Sequence, residues 1–522
     1  MKIATLLIFI LLVPFIGLSQ NHSQYISNLE KDAKASMGDE NYSLALDKYK
    51  KLLKLKPDNE FYNYQYGKCA AISSKHIKSG IYCLEKVKNS PKINVDLYYY
   101  LGQLYLYSYK FQKSIASEKK FIEKEKTKEK PDAQKIKYAN HFIDQCKNAQ
   151  ALMKNPVKIT FKNLGPNINS SQNDYNPFVP ADESFLIYTS NKSFDSDYGV
   201  FVSNIYTSYP TDSGWTFAKP AKKVNTYDNE VLYSISPDGK NVLIGQGLDD
   251  AMDIVHVLHK GKSFKPDELN PIFGYVNSKY LETGATITND KKTIYFSSTR
   301  EGGKGGSDIY MMKLQPNNEW SKPLNITELN TPYDDILPNL SADEKKLYFA
   351  SQGHNSMGGF DIFVSTWDEE NNKWGSPVNL GYPINTVKDN MTICFPNDKK
   401  HAYISAIRKG GEGGLDIYRI TFNDVDERYT ILKGTIHIGD AHANKLYEKS
   451  DGDIEVSIMD KDDNLYGKYT VNKKSYFIAA LPKGDYILKV EIADKNILYN
   501  KNISIKDKNE YVFEKKIDIY LK

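Results

Sequence analysis

Cysteine is scarce: Cys69, Cys83, Cys146 and Cys394 are the only four in 522 residues. None of their spacings is the short pair that a zinc site or a disulfide framework needs, so packed free thiols are expected. For an exported chain a Cys69–Cys83 bridge stays open. Long apolar runs are equally few. The run from Ile3 to Leu18 falls short of the roughly 20 residues that span a bilayer, and no later run matches it, so no transmembrane segment is expected. An excess of one charge is also missing. The net charge of +4, from 69 basic and 65 acidic side chains, gives no reason to expect a nucleic-acid partner. The chain has no Gly-x-Ser-x-Gly elbow of a serine hydrolase, and neither of its glycine-rich loops, Arg300 to Gly306 and Arg408 to Gly414, is followed by Gly-Lys-Ser/Thr at the spacing of a phosphate loop. No enzymatic activity, catalytic residue, metal or cofactor is therefore expected.

What is present is an ordinary globular composition, 40% hydrophobic and 26% charged. At this length it suits about three domains. Lys2, the apolar run and Gly17-Leu18-Ser19 before Gln20 read as a secretory leader over residues 1–19. An exported, periplasmic chain follows. The first cysteine is Cys69, so the cleavage site lacks the residue a lipoprotein acylates. Charge is unevenly spread: residues 21–156 hold 25 basic against 15 acidic side chains, while the chain from Val157 onward carries net −7.

Residues 20–156 have a helical pattern. Small residues recur at Ala33, Gly67 and Gly102, a second series follows at Ala45, Ser79 and Ser114, and Pro57 and Pro91 close units 34 residues apart. This period, with small residues where paired helices approach, resembles the tetratricopeptide repeat. Three repeats are expected, with Pro131 to Met153 as a closing helix. The resemblance implies that Tyr64, Lys68, Tyr99 and Gln103 line a concave face that binds peptides, and the basic excess favours an acidic segment. The alternative is that these aromatics simply pack between helices.

Residues 157–424 switch to strands with a period near 54. Asn-Ser/Thr turns stand at Asn169, Asn225, Asn277, Asn330 and Asn385, alternating with strands that begin at Asn204, Asp253, Asp308, Asp361 and Asp416. Turns such as Ser236-Pro237-Asp238-Gly239 and Asn397-Asp398-Lys399 precede apolar strands, giving about four strands per unit, the content of a propeller blade. The segment Asn163 to Ser170 matches Asn379 to Thr386 but precedes any blade of its own. It is expected to supply the outer strand of the last blade and close a five-bladed ring. The loops Arg300 to Gly306 and Arg408 to Gly414 read as hairpins whose glycines need positive backbone angles. Asp253, Asp308, Asp361 and Asp416 read as turn and inter-blade residues, since catalytic groups are rarely duplicated in every blade. Trp215, Trp320 and Trp374 read as blade-packing anchors, each worth on the order of 1.5–3 kcal/mol if buried.

Residues 425–522 alternate as a compact β-module with a Leu481-Pro482-Lys483-Gly484-Asp485-Tyr486 corner. It resembles the transthyretin-like regulatory sandwich of carboxypeptidases. Asp460-Lys461-Asp462-Asp463-Asn464 has Leu465 where a calcium loop needs glycine and Val471 where it needs glutamate, so it reads as a polar hairpin. The order of leader, repeats, propeller of WD-like Pro-Asp repeats and regulatory-like sandwich resembles envelope proteins of Bacteroidota that end in an OmpA-type peptidoglycan-binding domain. One branch, PorE-like, belongs to the type IX secretion and gliding machinery. Here the lipobox cysteine and the OmpA-type domain are both missing. The resemblance implies a non-catalytic periplasmic scaffold at the outer membrane, with envelope or secretion-system proteins as partners and indirect peptidoglycan association. A glycan- or peptidoglycan-binding protein is the alternative, and a propeller-associated hydrolase the third reading.

Overall fold

Small residues set the helical geometry at the N-terminal end. A Cβ at Gly67 would collide with the Leu84 side chain, and one at Gly102 with Glu118, so each glycine lets its helix press against the next. Ser114 Oγ donates to Gly102 O (2.8 Å) across the second of these crossings. In the computed structural model, residues 23–521 are described apart from 197–199, 213, 249–250, 268–272, 398–399, 424–429, 441–444, 462, 482–483, 493–496 and 506–513. The leader lies outside the described residues, as do Asp398, Lys399, Asp462, Pro482 and Lys483 of the turns above.

Seven helices form the solenoid: α1 (23–38), α2 (Tyr42–Leu55), α3 (Glu60–Ile72), α4 (Ile77–Val87), α5 (Asp96–Tyr107), α6 (Phe111–Glu125) and α7 (Ala133–Leu152). They are three hairpins and a closing helix. Asn41, Asn59 and Asp132 cap α2, α3 and α7 by accepting backbone amides of the first turn. Cys69, Cys83 and Cys146 are buried free thiols in this layer, and Cys394 is one in the propeller. No helix among the described residues is long and apolar enough to cross a membrane.

Five antiparallel sheets follow. Blade 1 runs Asp174–Phe178, Leu186–Asp195, Val200–Ser208 and Lys219–Pro220. Blade 2 has its three long strands at Asn229–Ile235, Asn241–Leu248 and Ala251–Lys260, blade 3 at Glu282–Ile287, Thr293–Ser298 and Asp308–Lys313, and blade 4 at Asp335–Leu340, Lys346–Ser351 and Asp361–Asp368. Blade 5 takes Ile393–Cys394, His401–Ala406 and Asp416–Phe422 from the end of the ring and its outer strand, Ile159–Asn163, from the beginning. That strand pairs antiparallel from Ile159↔Phe422 to Asn163↔Tyr418. The ring is thus latched by its own two ends, and Asp416–Phe422 in the last blade keeps no open outer edge.

Polar side chains join the innermost strands around the axis. Asn176 Nδ2 donates to Leu232 O (2.9 Å), Ser234 Oγ to Ala285 O (2.7 Å), Asn339 Nδ2 to Ile393 O (3.4 Å) and Thr392 Oγ1 to Asn176 Oδ1 (3.3 Å). Between blades 3 and 4 the backbones touch instead: a Cβ at Gly284 would lie 2.7 Å from Leu337 Cα. After the propeller, Thr430–Ile438, Lys445–Leu446, Tyr476–Leu481 and Glu514–Leu521 make one sheet of a β-sandwich. Ile454–Asp460, Leu465–Tyr469, Gly484–Ile492 and Ile497–Ile505 make the other, over a core that includes Leu432, Ile436, Phe477, Leu488 and Ile519.

Candidate interaction surfaces

On the inner face of the solenoid, Tyr64 of α3 is half-buried with its ring 6.4 Å from Tyr100, and Lys68 Nζ lies 5.8 Å over the same ring. Tyr99 of α5 packs its ring 5.2 Å from Phe121 and 5.7 Å from Phe142. Gln103 is 6% exposed. Burial pushes the Tyr64 and Tyr99 hydroxyls above the usual phenol range. The structure therefore leaves Tyr64, Lys68 and Tyr99 half-buried, with Tyr64 and Lys68 meeting at the Tyr100 ring, and places Gln103 within the helix packing.

In the propeller the two repeating series meet. The Asn169 side chain accepts from Ile417 N (2.8 Å) and donates to Ile417 O (3.1 Å). Asn225 clamps Ile205 in the same two-bond way, Asn277 clamps Ile254, Asn330 clamps Ile309 and Asn385 clamps Ile362. Each turn asparagine thus occupies both backbone groups of one residue in the third strand of the preceding blade. The recurring aspartates close the loop before that strand. Asp308 accepts from Gly305 N (3.1 Å), Asp361 from Met357 N (2.9 Å) and Asp416 from Glu412 N (2.7 Å). Asp253 differs: blade 2 has no glycine-rich loop to close, and its side chain is exposed.

Sequence reading missed a third series five residues after each turn asparagine. Asp174, Glu230, Glu282, Asp335 and Asn390 are all buried, and each accepts from the backbone and hydroxyl of the turn's Ser or Thr. The fixed spacing was a usable signal. Burial pushes the Asp335 and Asp361 carboxyls up to about 7, whereas Glu282 has Arg300 Nη2 at 3.2 Å. Among the described residues no three His, Cys, Asp or Glu side chains form a metal-holding group.

The tryptophans stand on the outer strands and touch the preceding blade. Trp215 meets Tyr403 of blade 5 edge-on at 6.2 Å, and Trp374 meets Tyr295 of blade 3 at 5.7 Å. Trp320 packs on the cluster holding Tyr233 and Leu243 of blade 2. In blade 2 the aromatic is Phe264, 6.3 Å from Phe185 of blade 1, a substitution that hid the fourth member.

The glycine-rich loops need glycine for two reasons, not one. Only Gly302 (φ +91°) and Gly410 (φ +85°) hold positive angles. The others are excluded-volume positions: a Cβ at Gly305 would collide with Tyr333 O and at Gly413 with Gln172 O, and in the corresponding loop of blade 4, between Ser351 and Asp361, one at Gly358 would collide with the Val387 backbone. Gly305→Ala is expected to cost about 2–3 kcal/mol through this backbone clash, read as a lowered thermal midpoint, whereas Gly302→Asn, which keeps a residue tolerant of positive φ, should cost under about 1 kcal/mol.

The helical layer rests on the propeller end that carries these loops. His141 of α7 stacks on Tyr333 with ring centroids 3.9 Å apart, and Lys137 Nζ donates to Pro332 O (3.0 Å). Asn148 Nδ2 donates to Ser356 O (3.0 Å), and Leu106, Cys146 and Ala149 bury against Met357 and Val387. Burial pushes His141 down to about 4, so it stacks as the neutral ring. Contact falls on blades 4 and 5. The same end of blade 1 and the turn into blade 2 stay open and show Phe194, Phe201 and Tyr227, the last 95% exposed.

No protein-family model matches the chain, and no curated relative matches it. Solved structures of similar fold include TolB from Acinetobacter baumannii, at 16% identity and TM-score 0.31, over 56% of this chain and 71% of that one. The Sgt2 TPR domain from Aspergillus fumigatus matches at 18% identity and TM-score 0.20, over 25% of this chain and 81% of that one. A thermostable family-43 glycoside hydrolase matches at 12% identity and TM-score 0.33, over 50% of this chain and 91% of that one. These are likenesses of fold. They correct one expectation, that the chain is no enzyme, because this hydrolase, a sialidase and prolyl peptidases all stand among the similar structures. The physical reason is that a missing serine elbow excludes one hydrolase chemistry only, and carboxylate-based hydrolysis does not use it.

Proposed function

We propose that the chain is an exported scaffold that holds two interaction modules, the helical solenoid and the propeller, in one fixed arrangement. The observation that carries this reading is the α7 contact with blades 4 and 5: a stacked His141–Tyr333 pair, backbone-directed hydrogen bonds and a buried apolar patch. It leaves the half-open Tyr64–Lys68 surface and the exposed loops of blades 1 and 2 for other molecules. The domain order supports envelope proteins as those partners, at the outer membrane or in the secretion and gliding machinery. Repeats and propellers are both surfaces that bind through shape rather than through a bound group.

The exposed aromatics Phe194, Phe201 and Tyr227 favour a second reading, a glycan stacked on blades 1 and 2, since such rings present an apolar face and, in tyrosine, a polar tip. Crosslinking in intact cells, followed by mass spectrometry with the joined residues mapped, separates the two. Links from the solenoid and the propeller to envelope proteins are expected. Links only to glycan, centred on blades 1 and 2, would replace the scaffold reading by the second one.

A further inference from the structure

The positive charge of the helical region is segregated by layer. Helices α3 and α5 pack on each other, and α2, α4 and α6 pack onto them from outside. The three outer stretches, 42–56, 75–88 and 110–130, contain 17 lysines against six acidic residues. The remainder of residues 21–156 contains eight lysines against nine acidic residues. The whole excess therefore sits on the outer layer. Two of its six acids, Glu118 and Glu125, are buried and present no charge to a partner at the surface. Four of the 17 lysines, Lys48, Lys86, Lys88 and Lys128, have an ion-pair partner among the described residues. The exposed stripes run Lys78, Tyr82, Lys86 on α4, one helical turn apart, and Lys113, Lys120, Lys124 on α6, two turns and then one apart, with Tyr82 67% exposed.

We propose that this outer layer docks on a bilayer rich in anionic lipid headgroups and turns the propeller and sandwich away from it. Three observations choose that occupant. The layer is the outside of a solenoid, and its exposed lysines are spread along α2, α4 and α6. Residues 21–156 contain no arginine, and lysine is a compact point charge that lacks the planar fork matching a fixed carboxylate, which suits mobile headgroups. The chain from Val157 onward carries net −7, so an anionic surface attracts one end of the molecule and repels the other. Tyr82, at the centre of its stripe, is the side chain that would sit at the headgroup level. This inference stands independently of the scaffold reading.

The test is co-sedimentation of the protein, from Gln20 onward, with vesicles of phosphatidylcholine alone or with 40% phosphatidylglycerol. Binding to the anionic vesicles is expected in 0.05 M NaCl and release in 0.5 M, where the screening length falls to about 4 Å. Reversing Lys113, Lys119, Lys120 and Lys124 to Glu should weaken binding by about a hundred-fold or more. The same four reversals at Lys219, Lys222, Lys223 and Lys265 of the propeller change net charge equally and should leave it within a few-fold. Circular dichroism and thermal midpoints establish that both variants fold. No preference for anionic vesicles, or equal loss in the two variants, overturns the proposal. So does a helical variant that keeps vesicle binding but loses crosslinks to an acidic protein, which would give the face to that protein.

Discussion

Replacing Thr160 and Lys162 together by proline is expected to unlatch the propeller. The register Lys162↔Arg419 and Thr160↔Thr421, with Leu164 N donating to Ile417 O and Asn423 N to Lys158 O, turns the amides of residues 160 and 162 into the ladder. Proline removes each of these donors and its ring clashes with the paired strand, at roughly 3 kcal/mol per site. More than two hydrogen bonds are at stake. Asn163 Nδ2 donates to Asp416 Oδ2 (3.0 Å), and its Oδ1 accepts from Asn169 Nδ2 (2.8 Å) and so supports the clamp on Ile417. A five-sheet ring with one seam missing exposes the edge of Asp416–Phe422 and loses its cooperative closure. A loss of about 6 kcal/mol should lower the propeller's thermal midpoint by on the order of 10 °C. It should also open cleavage sites in blade 5 under limited proteolysis. An unchanged midpoint would mean that the axial hydrogen bonds alone hold the ring.

Replacing Glu118 by methionine is expected to stabilise the solenoid by about 2–4 kcal/mol at pH 8, read by denaturant unfolding. Glu118 of α6 is fully buried against Gly102, and neither carboxyl oxygen has a hydrogen-bond partner. Tyr99, Tyr107 and Cys146 are the titratable groups around it, all uncharged near neutrality, so no cation compensates the carboxylate. Burial holds its carboxyl well above the ordinary carboxylate range. The sign follows from linkage: the folded protein binds this proton more tightly than the unfolded chain, so the wild type is favoured below the ordinary Glu value. That advantage is lost as pH rises towards the folded value. The gain from methionine should therefore grow from pH 4 to pH 8. A gain independent of pH would show that the carboxyl is solvated by an entering water.

The repeat architecture was legible because repetition is a property of spacing. The Asn turns and the Asp strands could be counted without knowing that Asn330 and Ile309 would touch, and their strict alternation already required an outer strand from the start of the chain. The glycine-rich loops were legible as loops but only half explained. Positive φ is a local demand, visible at Gly302, whereas Gly305 is required by the backbone of another blade, which no local pattern contains. The same limit applies to Gln103: helical spacing assigns it to one face with Tyr64 and Tyr99, but packing between helices buries it. Phe264 is not legible as a member of the tryptophan series, because the blade contact asks only for a flat apolar ring and not for an indole.

By itself the sequence determined the periods, the element types and the net charge of each region, since these depend on residues near one another in the chain. Tertiary structure alone decided that the lysine excess lies on the outer layer, that α7 covers blades 4 and 5 while blades 1 and 2 stay open, and that Glu118 is sealed from water. Each of those depends on which distant surface excludes solvent from a side chain, a quantity set by packing in three dimensions and not by order along the chain.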